Sequence, residues 1–255
     1  MVFIYKDGRD LVGYEAVLPN IPGAIRYLAS ITEKYGLNIV YIEECTVSEG
    51  DDLFFIVVDF TNKDIDPEML LKEFQKNKKY VTKVEISPSF KNIIFPKYFC
   101  VKTLGGLRVI LMGLANMKGL LGGLKKQLGG EAASSFIYHL GYGVGKELYD
   151  IYSKFTKIEG PEEGIKLLEA LTKGAGWCEL ISYSIKEDMI VLKVGRLWEC
   201  EIFEGKADKP TSNYVRGMLV SFFEKVLNKQ GRLVAIERNC IGKGEPFCVF
   251  EIKIM

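Results

Sequence analysis

Residues 18–39 read LPNIPGAIRYLASITEKYGLNI, and this stretch decides the fold of the first part of the chain. Pro19 to Gly23 forms a turn, and Pro22 suits the first turn of a helix, where its missing N–H costs nothing. Ala24, Ile25, Leu28, Ala29, Ile31 and Thr32 then recur at helical spacing. Tyr35-Gly36 closes that helix, with glycine at the left-handed cap position.

Outward from this helix the pattern changes period. Tyr14 to Leu18 is a short apolar run before it, and Asn38 to Cys45 is an apolar, β-branched strand after it. Glu49-Gly-Asp-Asp52 is a turn signal and Leu53 to Phe60 a further strand, so the two strands make a hairpin. Asp66-Pro67 starts a second helix with Met69, Leu70, Leu71 and Phe74 on its apolar face. Tyr80 to Ile86 is the last strand. The order β-α-β-β-α-β is the split ferredoxin-like arrangement.

The stretch from Leu18-Pro-Asn-Ile-Pro-Gly-Ala24 to Tyr35-Gly-Leu-Asn-Ile39 resembles the ACT domain family of small-ligand regulatory modules. The resemblance implies that residues 1–90 form a regulatory module. It also implies that Asn20, Ile21, Gly23 and Ala24 face a small effector at a domain–domain interface. Backbone N–H groups at a helix N-terminus would then be presented to a carboxylate. The alternative is that Pro22-Gly23 only starts the helix and the module only dimerises.

Composition bounds the rest. The chain has 255 residues, 34 Lys+Arg against 33 Asp+Glu, and a net charge of +1. That balance argues against a dedicated nucleic-acid or membrane-surface binder. It hides an asymmetry, because residues 1–90 hold 10 basic and 15 acidic residues and residues 91–255 hold 24 and 18. Two domains are expected, 1–90 and 91–255, with a seam over Ile86 to Pro96, which two prolines punctuate. His139 is the single histidine, which excludes mechanisms that need two. No run approaches the length and apolarity of a membrane-spanning helix, and Met1 to Leu11 lacks a signal-peptide core. Six cysteines without a secretion signal read as thiols or metal ligands in a reducing cytoplasm.

The second part reads as helices followed by an antiparallel sheet, an α+β domain. Helices are expected over 104–130, Glu131 to Tyr152, Pro161 to Thr172 and Pro210 to Asn228. Strands are expected at Trp177 to Tyr183, Met189 to Val194, Trp198 to Phe203, Leu233 to Arg238 and Phe247 to Ile254. Gly141, Gly143 and Gly145 sit inside a helical pattern, so they permit close helix contact and are not a dinucleotide fingerprint.

Glu237-Arg-Asn-Cys240-Ile-Gly-Lys-Gly-Glu-Pro-Phe-Cys248 places two thiols and a carboxylate around a tight turn. Such a set suits Zn²⁺, with Cys200, Cys178 or a water as the fourth ligand. The alternative is a pair of buried thiols flanking a turn. Phe136, Tyr138, Trp177, Tyr183, Trp198 and Phe222 are candidates to line an apolar pocket. His139, beside Tyr138, reads as structural, with no catalytic partner visible.

Glu237, Cys240, Gly244 and Cys248, followed by Phe250 and Ile252, make this part resemble the 4-vinyl reductase, or hydrocarbon-binding, domain family. Leu128-Gly-Gly-Glu-Ala-Ala133, Tyr138 with Gly141 and Gly145, and Asn213-Tyr-Val-Arg-Gly217 add to the match. The resemblance implies an α+β fold shared with aromatic sensors and vesicle-tethering subunits, pairing through helices and enclosing a hydrophobic pocket. It implies a zinc held by a glutamate and three cysteines. Glu237, Cys240 and Cys248 match three of these, while 210–214 has no cysteine at the remaining position and Cys200 is the candidate substitute. The expected function is a cytoplasmic ligand sensor. It would bind a small hydrophobic molecule, pair as a homodimer and act through an output protein, without direct nucleic-acid contact. A reductase of a tetrapyrrole vinyl group, or a non-catalytic scaffold, is the alternative reading.

Overall fold

A computed structural model describes residues 4–48, 51–98, 103–104, 107–203 and 205–255. The chain divides into two compact units, Met1–Leu111 and Met112–Met255.

The first unit contains β1 (Ile4–Tyr5), β2 (Leu11–Pro19), α1 (Ala24–Lys34), β3 (Asn38–Ser48), β4 (Asp51–Asp59), α2 (Pro67–Gln75) and β5 (Lys83–Ile86). Short strands β6 (Ser89–Phe90), β7 (Ile93–Ile94), β8 (Thr103–Leu104) and β9 (Leu107–Arg108) follow. β2-α1-β3-β4-α2-β5 is the expected βαββαβ order, in an antiparallel sheet arranged β3-β4-β2-β5. α1 starts at Gly23 in the left-handed region, φ 96°, and buries Ala24, Leu28, Ile31 and Thr32. Ile25 stays exposed, because only a narrow stripe of the helix faces the sheet. Asp66 caps α2 by accepting the Glu68 N–H at 3.0 Å. Tyr14, Leu28, Ile56, Leu70 and Phe74 are fully buried between helices and sheet.

The opposite face of the sheet carries Leu11, Phe55, Val57 and Ile94. This face explains why the first unit extends past the seam expected at residue 90. β7 pairs with β1 and β6. The buried Glu15 carboxylate then accepts the backbone N–H groups of Lys97 at 2.6 Å and Tyr98 at 3.1 Å.

The second unit begins with α3 (Leu114–Leu128), α4 (Gly130–Tyr152), α5 (Pro161–Gly174), β10 (Glu179–Ile185) and β11 (Met189–Gly195). It ends with α6 (Trp198–Glu201), α7 (Asn213–Val226), β12 (Leu233–Asn239), a 3-10 turn (Ile241–Lys243) and β13 (Cys248–Ile254). The antiparallel sheet runs β10-β11-β13-β12. Both units are therefore α+β.

α4 and α7 cross with their backbones in contact. A Cβ at Gly141 would lie 1.9 Å from the Tyr214 carbonyl oxygen, and one at Gly217 would lie 2.0 Å from that of Tyr138. Gly143 meets nothing within 4 Å, so the crossing uses Gly141 and Gly145 but not the glycine between them.

Two expected elements differ, the first being the helix expected over 104–130, which spans only Leu114–Leu128, with β8 and β9 before it. Trp198 to Phe203 is not a strand: β11 stops at Gly195, Arg196 turns the chain at φ 51°, and Trp198–Glu201 is a short helix. No helix among the described residues is long and apolar enough to cross a membrane.

Candidate metal centre and apolar slot

The turn between β12 and β13 brings together residues that sequence reading singled out. Gly244 takes the left-handed conformation, φ 95°, after the 3-10 turn and folds the chain back. Cys240 before the turn and Cys248 after it then face the same side, and the Ile241 N–H donates to Cys248 Sγ at 3.3 Å. Glu237 reaches the same point from β12, and Cys200 arrives on α6. The four ligand atoms lie within 4.8 Å of one another, all on buried residues. Cys200 Sγ lies 3.5 Å from both Cys240 Sγ and Cys248 Sγ, and 3.8 Å from Glu237 Oε1. These four side chains could hold a metal ion. Cys178, the other candidate, lies apart from them and lines a cavity described below.

Two residues join this cluster that sequence reading missed. Ser212 Oγ donates to Glu237 Oε1 at 2.7 Å and lies 2.8 Å from Cys200 Sγ, while the Ser212 N–H donates to Glu237 Oε2 at 3.2 Å. Thr211 Oγ1 lies 3.4 Å from Cys200 Sγ and 3.5 Å from Cys240 Sγ. They occupy the segment before α7 where the sequence has no cysteine. The signal that could have found them is a Ser-Thr pair at the position of a helix cap. Ser212 does not cap its own helix with its side chain. Glu199 supplies that cap, its two oxygens accepting the Tyr214 and Val215 N–H groups, both at 2.9 Å.

The electrostatics follow from burial. Desolvation pushes Glu237 up to about 7 and Glu199 up to about 8. Cys240 is driven far below the ordinary thiol range by hydrogen bonds from Cys200 and then Cys248. The bond to Cys240 in turn pushes Cys200 up to about 12, and Cys248 is also raised, first by its bond to Cys200. The three thiols thus share hydrogen bonds with one another. An ion that displaces those protons gains three sulfur ligands.

The aromatic residues expected to line a pocket do not converge. Phe136 is exposed on α4, and Tyr183 lies on the exposed face of β10, its hydroxyl 3.4 Å from Glu162. Trp177 and Trp198 both meet Tyr214 edge-on, and Phe222 is fully buried against Tyr149 and Phe223. Tyr138 packs on the core and meets His139, which is exposed, edge-on. Trp198 Nε1 is buried without a hydrogen-bond partner.

Space exists elsewhere, between α5, α7 and the sheet. One apolar cavity of about 30 Å³ is walled by Ile165, Leu168, Leu192, Val215, Met218 and Phe250. A second, of about 190 Å³, is walled by Pro161, Ile190, Leu227, Ile252 and Ile254. α5, β11 and β13 line both; α7 lines the first, and Leu227 just past α7, with Ile185, Lys186 and Glu187, lines the second. Ile190, Leu192, Phe250 and Ile252 place both spaces on one face of the sheet, and the two together are called the apolar slot. In the first cavity the Thr172 hydroxyl already donates to the Leu168 carbonyl at 2.8 Å, and burial raises the Cys178 thiol.

In the first unit, Asn20, Ile21 and Gly23 form the exposed turn before α1, while Ala24 points into the core. The Tyr80 ring lies 3.6 Å from the Cβ position of Gly23.

No protein-family model matches the sequence. No curated protein matches it either. Among solved structures, the chain is similar to the phenol-responsive sensory domain of the transcription activator PoxR, crystallised with phenol. That likeness has 18% identity, covers 60% of this chain and 79% of that one, and has a TM-score of 0.51. The chain is also similar to the ACT domain of a GTP pyrophosphokinase from Chlorobium tepidum. Here the identity is 18%, the coverage 31% of this chain and 97% of that one, and the TM-score 0.26. What the sensory domain shares with this chain is its fold.

Proposed function

We propose that the protein is a ligand-sensing regulator. Its second unit would bind a small hydrophobic molecule in the slot beneath α5 and hold a structural Zn²⁺ through Cys200, Glu237, Cys240 and Cys248. The observation that carries the sensing role is the slot itself, mostly apolar and walled partly by α7. α7 is also the helix whose N-terminus is tied to Glu199 and Glu237. A ligand packed on Val215, Met218 and Leu219 therefore presses on an element that the metal cluster anchors. The sensory-domain fold, in a protein named for its response to phenol, supports the same reading.

The donor set fits zinc. Four ligands at about 2.0–2.3 Å in a tetrahedron stand about 3.4–3.8 Å apart. Three of the six separations, 3.5, 3.5 and 3.8 Å, fall in that range, and all four atoms lie within 4.8 Å of one another. Three thiolates and a carboxylate leave net negative charge, which the positive end of α7 offsets. When bound, the ion supplies a crosslink between α6, β12 and β13 rather than an open catalytic position.

Elemental analysis tests the metal. The wild-type chain should carry about one zinc, and Cys240→Ser should lose it; equal zinc in both would sink the assignment. Melting with benzene and with n-hexane tests the slot. Either probe at about 100 times its Kd adds about 2.7 kcal/mol of stability. Leu168→Trp, which fills the slot, should abolish the shift. A flat response in the wild type, or an unchanged response in the variant, would refute the slot as the site.

Pairing with a second copy is the companion reading. Leu114, Leu120 and Leu128 on α3 and Phe136 and Leu140 on α4 are all exposed, an apolar load that a homodimer would cover. The turn at Asn20, Ile21 and Gly23 would take a small effector in the first unit. Native mass spectrometry at micromolar concentration should find the dimer. A monomer there, or a dimer that survives Leu140→Glu, would exclude this face.

A further inference from the structure

A second cavity type lies on the other side of α7 and owes nothing to the apolar slot. It has a volume of about 120 Å³ and a polar lining from α4, the end of α7 and the turn that follows. Its floor is Glu224, only 4% exposed, beside the buried Ser221. Tyr142 Oη donates to Glu224 Oε2, and the Gly231 N–H donates to Oε1 at 3.0 Å. Each carboxylate oxygen has two lone pairs, so each keeps one free. Ser221 Oγ makes only a long 3.4 Å bond to the Met218 carbonyl. Hydrogen bonding to Glu224 pushes Tyr142 up to about 12, which keeps this phenol a donor. The last carbonyls of α7 add partial negative charge at this end.

The rim has the opposite sign. Lys146 projects from α4 and has no ion-pair partner among the described residues. Lys225 also lines the cavity, paired with Asp150 at 2.9 Å. The exposed amides of Asn228 and Gln230 complete the mouth. The cavity therefore presents acceptors at its base and donors at its opening. At about 30 Å³ per water, its volume corresponds to about four waters.

We propose that this cavity binds a small zwitterion of the amino-acid class. Its ammonium reaches Glu224 and Ser221 Oγ, and its carboxylate meets Lys146 and Gln230 at the rim. A simple anion would face Glu224, and a simple cation would face Lys146, so each half alone binds poorly.

Calorimetry on the full chain tests this with three probes: glycine, acetate and methylammonium. Glycine should give a saturable isotherm below about 20 mM. Acetate and methylammonium should each bind at least about tenfold more weakly. Lys146→Ala, at an exposed position, should leave the melting temperature unchanged and weaken glycine at least about tenfold. Absence of saturable heat with glycine, or equal affinity for acetate, would overturn the proposal. So would glycine affinity retained in Lys146→Ala, which would place any binding elsewhere, such as the turn before α1.

Discussion

Glu199 shows how one carboxylate can settle a helix start. It is 1% exposed and satisfies two of the free N–H groups that begin α7. Glu199→Ala leaves both donors buried and unpaired, and should cost about 1–3 kcal/mol in urea unfolding; a cost near zero would mean water replaces it. Glu85 in the first unit works oppositely. The Lys97 ammonium at 2.8 Å, then Tyr98, holds it down to about 2. Its folded value lies below the ordinary 4.5, so its stabilisation is complete above that pH and lost as pH falls toward 2. Lys97 is half exposed, and solvent screening keeps the contribution small. Glu85→Gln should flatten the acid limb of the stability curve between those values. At this scale the sequence was informative about Glu237, Cys240 and Cys248, which one turn joins. Cys200 was legible only as an alternative, because it meets Glu237 across 37 residues of chain. Glu199 was invisible, since nothing in a Trp-Glu-Cys string marks a carboxylate that caps a helix further on.

Among the elements, the first unit was readable because each piece carries its own period and its own stop. Proline and glycine open α1, and Asp66-Pro67 opens α2. α6 defeated the same logic. Trp198, Cys200 and Ile202 alternate as a strand would, yet they are buried around a turn of helix that follows the left-handed Arg196. The aromatics named as pocket candidates behave differently from the slot lining for a related reason. Large aromatics fill space, and here they pack on Tyr214 and Phe223, while the slot is walled mostly by aliphatic residues with no distinguishing pattern. The α4–α7 crossing makes the sharpest prediction for an element. Gly217→Ala puts a methyl 2.0 Å from the Tyr138 carbonyl oxygen, where backbone must move. A loss above about 3 kcal/mol is expected in chemical denaturation, and a variant as stable as wild type would show that the helices separate cheaply.

For the whole molecule, two compact units with separate cores predict two unfolding transitions in calorimetry. Removing metal with a chelator should lower the transition of the second unit and leave that of the first in place. A single transition that moves as one would mean the units unfold together. The sequence puts the seam at residue 90 because prolines at 88 and 96 look like a linker, while the compact units divide after Leu111. In the fold they bracket strands β6 and β7, and the segment after them is held by Glu15.

The contact of α4 with α7 also sets a clock. Backbones this close leave no room for water at the Gly141, Gly145 and Gly217 contacts within the Tyr138–Gly145 and Tyr214–Ser221 segments. Their amide protons reach solvent only when the second unit opens as a whole. In deuterium exchange these two segments should be the last of that unit to label, hours behind the exposed edge strand β10.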